Sequence, residues 1–456
     1  MDPLPHEPSG RMTLCQARVP ACLVASGADL PAPDRDGLLL LDVALEDGRI
    51  DSIGAHDPTA EGPGRVPLQG RMVWPCPVDL HTHLDKGQIW PRAANPDGSF
   101  AGALETVARD RAARWTADDV RTRAEFGLRC AYAHGSRAVR THVDSMPPQA
   151  EISWPVIADL RERWAGRIEL QAVSLAPAEC YRWSDGERLA RLVAEHRGIL
   201  GLFPQPGPEL DADLDRFLGL AAGHGLDVDL HVDETGDPAA KALRHLAEAV
   251  LRNRFPGRVL AGHCCSLAVH DPDDARRTLD LVAEAGIAIV SLPMCNLYLQ
   301  GRQPGRTPRW RGVTIAQEIR ARGIPLAFAS DNTRDPFYPY GDLDMLEVFR
   351  EAVRIAQLDH PIEGWVESVT STPAALMGLP DAGRIAPGCR GDLVAVGLES
   401  PRTAGADPAQ AVLVAGAADV HTVVVDGRVV VSDGRHVLGD VGRLLAEAIE
   451  PLWRDA

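Results

Sequence analysis

Asp79-Leu80-His81-Thr82-His83 decides how this chain is read. It closes an apolar run that opens at Met72 and passes through Val73, Trp74 and Val78. Side chains of an extended strand alternate between two faces, so His81 and His83 share one of them. Two neutral imidazoles side by side suit a borderline divalent metal such as Zn2+ or Fe2+. A lone His-x-His pair is a weak signal, and its weight depends on how the other strands end.

Outward from that run the chain alternates. Eight apolar runs (72–83, 137–144, 169–175, 199–205, 227–234, 259–264, 287–293 and 325–331) are interleaved with helical periodicity at 116–134, 213–223, 240–255, 273–286 and 314–323. Repeated strand-then-helix units predict a parallel sheet, and eight of them predict closure. Thr116 followed by Asp119 reads as a capping box. Both chain ends turn to β pattern. Asp47-Gly48 and Asp426-Gly427 sit between apolar runs and are the residues a tight hairpin requires. The expected fold is α/β, a TIM-like (β/α)8 barrel over 72–379. A small β-sandwich domain is expected from both chain ends, 13–71 and 380–440. Residues 1–12, rich in Pro and Gly, read as a loose leader.

The 456 residues are 45% hydrophobic and only 5% aromatic, so aliphatic side chains and Ala must fill the core. A formal charge of -17 argues against nucleic acid as a partner and against an anionic membrane surface. No apolar run approaches the ~20 residues of a membrane span. The 9 cysteines are scattered, with no CxxC, as expected of structural thiols in a reducing compartment. The opening residues lack a basic segment followed by an apolar core. A cytoplasmic protein is the expectation.

Barrels of this kind build their active sites at the C-terminal ends of the strands. The second run carries His142, the fifth His231 and Glu234, the sixth His263, and the eighth ends in Asp331. Any one of these is ordinary as a hydrogen-bonded core residue. Their coincidence at one end of the expected barrel points to a metal centre.

With these residues in place, the sequence resembles the cytosine-deaminase-like branch of the amidohydrolase superfamily through most of 72–345. The motifs that carry the resemblance are His81-Thr82-His83-Leu84-Asp85, Val139-Arg140-Thr141-His142-Val143-Asp144, His231-Val232-Asp233-Glu234 and Gly262-His263. Further along come Asn296-Leu297-Tyr298-Leu299-Gln300-Gly301-Arg302, Trp310-Arg311-Gly312, and Asp331 with Asp335-Pro336-Phe337-Tyr338-Pro339. The resemblance implies His81, His83, His231 and Asp331 as metal ligands, with Glu234 and His263 as catalytic partners of Asp331. On that reading the metal lowers the pKa of a bound water and supplies hydroxide. Asp331 takes a proton, and His263 donates a hydrogen bond to the forming tetrahedral oxygen. Glu234 protonates a ring nitrogen and carries the proton to the leaving amine.

Some relatives bridge two metals with a carboxylated lysine on a central strand. Lys86 and Lys241 are the two lysines of the chain, one in the loop after the first run and one in the helix after the fifth. One divalent ion per chain, Zn2+ or Fe2+, is therefore expected. Lys86, with His142, is expected to face the pocket.

Three positions depart from cytosine deaminases. Pro177 stands where those enzymes carry a glutamine for the pyrimidine edge, and proline offers neither amide donor nor side-chain acceptor. Asn332 replaces a second aspartate, and Phe337 a tryptophan. The expected activity is release of ammonia or an alkylamine from a small nitrogen heterocycle of pyrimidine, purine, triazine or cyclic guanidine type, not cytosine itself. The alternatives are a cyclic amide or imide hydrolase that opens a ring, and a metal-binding barrel without catalysis. The expected partners are a small heterocyclic substrate and further copies of the chain, with no nucleic acid and no membrane.

Overall fold

The computed structural model describes residues 10–25, 30–362, 364–406 and 408–454. The leader expected over 1–12 lies outside the described residues as far as residue 9, and Met12 already opens a strand. The first strands are β1 (Met12–Pro20), β2 (Leu38–Glu46), β3 (Arg49–Ala55), β4 (Arg65–Pro67) and β5 (Met72–Pro75). The middle of the chain supplies β6 (Val78–Thr82), β7 (Ala138–Asp144), β8 (Glu169–Leu175), β9 (Val228–Val232), β10 (Val259–His263), β11 (Ala288–Ser291) and β12 (Leu326–Phe328). The last strands are β13 (Leu393–Val396), β14 (Val420–Val425), β15 (Arg428–Ser432) and β16 (Arg435–His436).

The two ends of the chain build one nine-stranded sheet in the order β16-β15-β14-β13-β5-β1-β2-β3, with β4 paired to β1. Its hairpins use the expected dipeptides. Asp47 and Gly48 have φ of 48° and 77°, and Asp426 and Gly427 have 49° and 69°. Positive φ at both central residues is the tight turn whose twist matches the flanking strands. The expected run 72–83 is two strands rather than one. Pro75 and Pro77 lack N–H donors for a continuous ladder. Met72–Pro75 pairs antiparallel with β13, and Val78 begins the pairing with β7.

The middle strands form two parallel sheets, β6-β7-β8 and β12-β11-β10-β9. Isolated bridges join them at both sides. Ile199 pairs with Val173 and Leu200 with Val228 on one side, and Thr82 pairs with Asp331 on the other. The run expected over 199–205 is thus a set of bridges, not a regular strand. A Cβ on Gly201 would lie 2.2 Å from the Ser174 carbonyl oxygen and 2.6 Å from that of Asp229, so only glycine lets both neighbours close in. Pro204 and Pro206 then remove two more donors.

Helices pack their apolar faces on these sheets, and the core is aliphatic as the composition required. The helix Ala117–Ala133 starts where expected, with the Thr116 hydroxyl accepting from the Asp119 N–H at 3.3 Å. The Asp119 carboxylate does not close the capping box. It takes Arg92 and Arg123 instead. The terminal sheet is tied to the rest by Trp74, set edge-on to Phe349 at 5.3 Å, and by the buried Arg137–Asp392 pair at 2.8 Å. Among the described residues no helix is long and apolar enough to cross a membrane.

Candidate active site

The end of β6 is fixed before it carries any chemistry. The Thr82 hydroxyl donates to the Arg140 carbonyl at 3.0 Å, and the Leu84 N–H donates to the Thr141 hydroxyl at 2.9 Å. On the other side the Asp331 N–H donates to the His81 carbonyl at 2.9 Å. The buried Asp79 carboxylate accepts from the Ser330 hydroxyl at 2.6 Å and from its N–H at 3.1 Å. Burial raises Asp79 to about 6 despite those bonds. Ser330 and Asp331, just beyond β12, are therefore clamped to the His-x-His strand.

Left-handed backbone marks the same rim. Asp233, His263, Cys264 and Asp331 have φ of 49°, 69°, 50° and 65°. Such conformations cost a non-glycine residue about 1 kcal/mol or more, and they persist where surrounding structure enforces them. Asp233 is held because its carboxylate accepts from the N–H groups of Ala242 and Leu243 at 3.0 and 2.9 Å, at the start of the helix Ala242–Asn253. That turn presents His231 and Glu234 from one strand end.

Four of the expected residues converge. His83 Nε2 lies 3.2 Å from Asp331 Oδ1, His81 Nε2 lies 3.6 Å from the same oxygen, and His231 Nε2 lies 3.3 Å from His83 Nε2. His81, His83 and Asp331 form one group with metal-compatible spacing, and His81, His231 and His263 another. The two Asp331 oxygens and Nε2 of His81 are buried with no hydrogen-bond partner, and Nε2 of His83 and of His231 face each other at 3.3 Å. Burying so many polar atoms unpaired is costly unless a cation takes their lone pairs. Bonds of 2.0–2.1 Å at tetrahedral angles set neighbouring ligand atoms about 3.3 Å apart, so this donor set fits a divalent ion. Burial holds His81, His83 and His231 well below their ordinary pKa, and neighbouring imidazoles, with Lys86 beside His83, add to it. Neutral imidazole is the form that ligates. Burial raises Asp331 to about 7, and a cation at the centre would restore the carboxylate.

Glu234 and His263 stand beside this cluster. Glu234 Oε1 is 3.5 Å from His263 Nδ1. Burial pushes Glu234 well above its ordinary value, reinforced by the charge of Asp331, and burial lowers His263 to about 3. The Asn296 amide lies between the two, and Gln300 Nε2 donates to the Glu234 carbonyl at 3.0 Å. Both residues belong to the Asn-Leu-Tyr-Leu-Gln motif, but a motif match alone offers no contact partner, and sequence reasoning left them without a role.

The remaining expected residues divide. Lys86 is 4% exposed, paired with Asp144 at 2.7 Å, and its ammonium sits 5.5 Å above the Phe337 ring. Asp144, which also takes Arg111 at 2.7 Å, was not foreseen as its anchor. Asn332 donates to Asp335 Oδ2 at 2.7 Å, and Asp335 Oδ1 accepts from the Phe337 N–H at 2.8 Å, so these three form one buried turn. His142 is buried against His81, ring centroids 3.8 Å apart, with Asp229 at 3.9 Å and Arg140 behind it. Pro177 is half-buried beyond β8 and bridged to Phe203, and no described contact joins it to the cluster.

The chain belongs to the amidohydrolase family, whose model matches residues 181–431. It is a metal-binding hydrolase of carbon–nitrogen bonds, a deaminase. It is 52% identical over 388 residues to a pterin deaminase of Rhizobium rhizogenes (strain K84), covering 85% of this chain and 88% of that one. It is 24% identical over 363 residues to N-isopropylammelide isopropyl amidohydrolase of Pseudomonas sp. (strain ADP), covering 76% of this chain and 85% of the other. Among solved structures it is similar to 5-methylcytosine deaminase from Klebsiella pneumoniae liganded with 5-fluorocytosine, with a TM-score of 0.79 and 26% identity. That likeness covers 92% of this chain and 97% of that one.

Proposed function

We propose that this chain deaminates a pterin: water replaces the 2-amino group of a 2-amino-4-oxopteridine, giving the 2,4-dioxo ring and ammonia. The reading is supported by the 52% identity to a pterin deaminase. The observation that carries it is the convergence of His81, His83, His231 and Asp331, both of whose carboxylate oxygens lack a hydrogen-bond partner, with Glu234 and His263 alongside. A pteridine offers the same cyclic amidine as the pyrimidines and purines expected from the sequence.

His81, His83, His231 and Asp331 would hold one divalent ion, Zn2+ or Fe2+ by ligand type. When bound, that ion supplies Lewis acidity that brings a water's pKa towards neutrality. Asp331 takes a proton from the attacking water. Glu234 delivers a proton to the ring nitrogen beside the reacting carbon, and a proton then reaches the amine so that ammonia leaves. His263 offers its Nε2 hydrogen to the oxygen that gains charge. Lys86 and Phe337 contact the ring, the aromatic face by stacking and the ammonium at the oxo group, with Asn332 and Asp335 fixing the Phe337 turn. His142 shapes the floor below His81.

A single ion is favoured because both lysines are committed elsewhere. Lys86 pairs with Asp144, and Lys241 with Asp274 at 3.2 Å beyond β9. We further read the two parallel sheets and their bridges at Thr82–Asp331 and at Ile199 and Leu200 as one closed (β/α)8 barrel. The sheet from both chain ends is its companion domain, over 13–71 and 380–440. The scattered cysteines, with no CxxC pair, suit a cytoplasmic location.

The test is ammonia release by zinc-reconstituted protein from pterin, cytosine, aminotriazines and cyclic guanidines. Pterin should yield one ammonia per ring with the ring intact, and at the highest kcat/KM of the panel. No ammonia from pterin, or a ring-opened carboxylate, would overturn the proposal.

A further inference from the structure

Two groups that handle protons in this reaction share one neighbour. Asn296 is 1% exposed, on the helix Pro293–Leu299. Its Nδ2 lies 3.2 Å from Glu234 Oε1 and 3.0 Å from His263 Nδ1. An amide nitrogen carries two hydrogens, and these are the two acceptors it meets. Its helix is held from both sides. Gln300, the residue after the helix, donates to the Glu234 carbonyl. Gly312 presses on the helix so closely that a Cβ there would lie 2.6 Å from the Asn296 carbonyl oxygen.

We propose that Asn296 is a positioning residue that assigns separate proton roles to Glu234 and His263. By donating to Nδ1, the amide leaves that nitrogen without a proton. The imidazole hydrogen is then on Nε2, which is buried with no protein partner, on a ring whose centroid lies 4.9 Å from that of His231 and 5.4 Å from that of His81. His263 is thereby a donor toward the reacting centre and is not available there as a base. By donating its other hydrogen to Oε1, Asn296 holds one carboxylate oxygen of Glu234 and leaves Oε2 to exchange protons with the ring nitrogen and the amine. A neutral donor between the two groups also keeps them from passing the proton to each other across 3.5 Å. The opposite amide orientation would turn Oδ1 toward both groups and would require a proton on each.

The kinetic arm rests on the deaminase reading, whereas the tautomer arm needs no substrate, so their failures are distinguishable. The zinc-loaded full chain, labelled with 15N-histidine, is examined with His263→Gln as the assignment control. His263 should show a protonated Nε2 and a bare Nδ1. Asn296→Asp should reverse this, because a carboxylate accepts from Nδ1–H. Asn296→Leu should lower kcat roughly 10- to 100-fold with KM within about 3-fold, since general acid–base terms are of this size or larger. Metal content should stay at the wild-type level in both variants. A protonated Nδ1 in the wild-type protein would overturn the proposal, and that measurement stands even if the variants do not fold. So would a kcat within about 3-fold of wild type in both variants, or a change confined to KM.

Discussion

At the residue scale, the site is a set of buried polar atoms whose partners are missing from the protein itself. On the proposed assignment, replacing Asp331 by Asn keeps the shape but weakens the ligand and removes the proton acceptor. We expect metal content to fall below half an equivalent and kcat to drop by at least about 10^3, read by elemental analysis and ammonia assay on the same sample. A second residue-scale prediction lies away from the chemistry. Arg92 binds Asp110 and Asp119, and Arg123 also binds Asp119. Burial alone would raise Asp119, but the Arg92 hydrogen bond and the Arg123 charge outweigh it and hold the carboxyl below its ordinary value. A depressed carboxylate contributes stability that is fully present above the unfolded pKa and fades as pH falls toward the folded one. Asp119→Asn should therefore cost about 3 kcal/mol near pH 7, as breaking a buried pair does. The cost should shrink below about pH 4 in denaturant titrations. An equal cost at pH 7 and pH 3 would contradict the ion-pair explanation.

At the element scale, local chemistry was legible and long-range pairing was not. Asp-Gly turns, glycine after helices and polar residues at strand ends are local signals, and they located both hairpins and the cluster. The run 72–83 looked continuous because hydrophobicity ignores which strand a backbone will pair with. Only the prolines at 75 and 77 hinted at the break, and β5 crosses to the terminal sheet to pair with β13. The run 199–205 looked like a strand because apolar content says nothing about the close approach that Gly201 permits. The metal-capable residues were readable because each ends a strand. Asn296, Asp144 and Asp79 were not, because their importance is a contact across the fold. Gly312, at φ 77°, carries the element-scale prediction. Gly312→Ala must displace the helix that holds Asn296, since the new Cβ would lie 2.4 Å from Gln300 Cβ. Activity should fall about 10-fold or more with metal content unchanged, whereas an unchanged kcat would show that this contact does not position the helix.

At the scale of the whole molecule, the ends of the chain are partners in one sheet. β13 lies between β14 and β5, so removal of residues 380–456 would leave β5 with an unpaired edge and strip Val394, Val423 and Val425 from the core. Exposed edges and apolar faces associate, so this truncation should be insoluble, as measured by the soluble fraction on expression. A soluble, metal-binding truncate would show that the middle sheets stand without the terminal one. On the proposed assignment, four side chains from three separate strand ends hold one divalent ion. Anomalous diffraction at the zinc edge, from crystals of the reconstituted protein, tests it most directly. One peak per chain is predicted, bounded by His81, His83, His231 and Asp331. A second peak of equal height, or a single peak displaced to the His142–Asp229 side of His81, would contradict it.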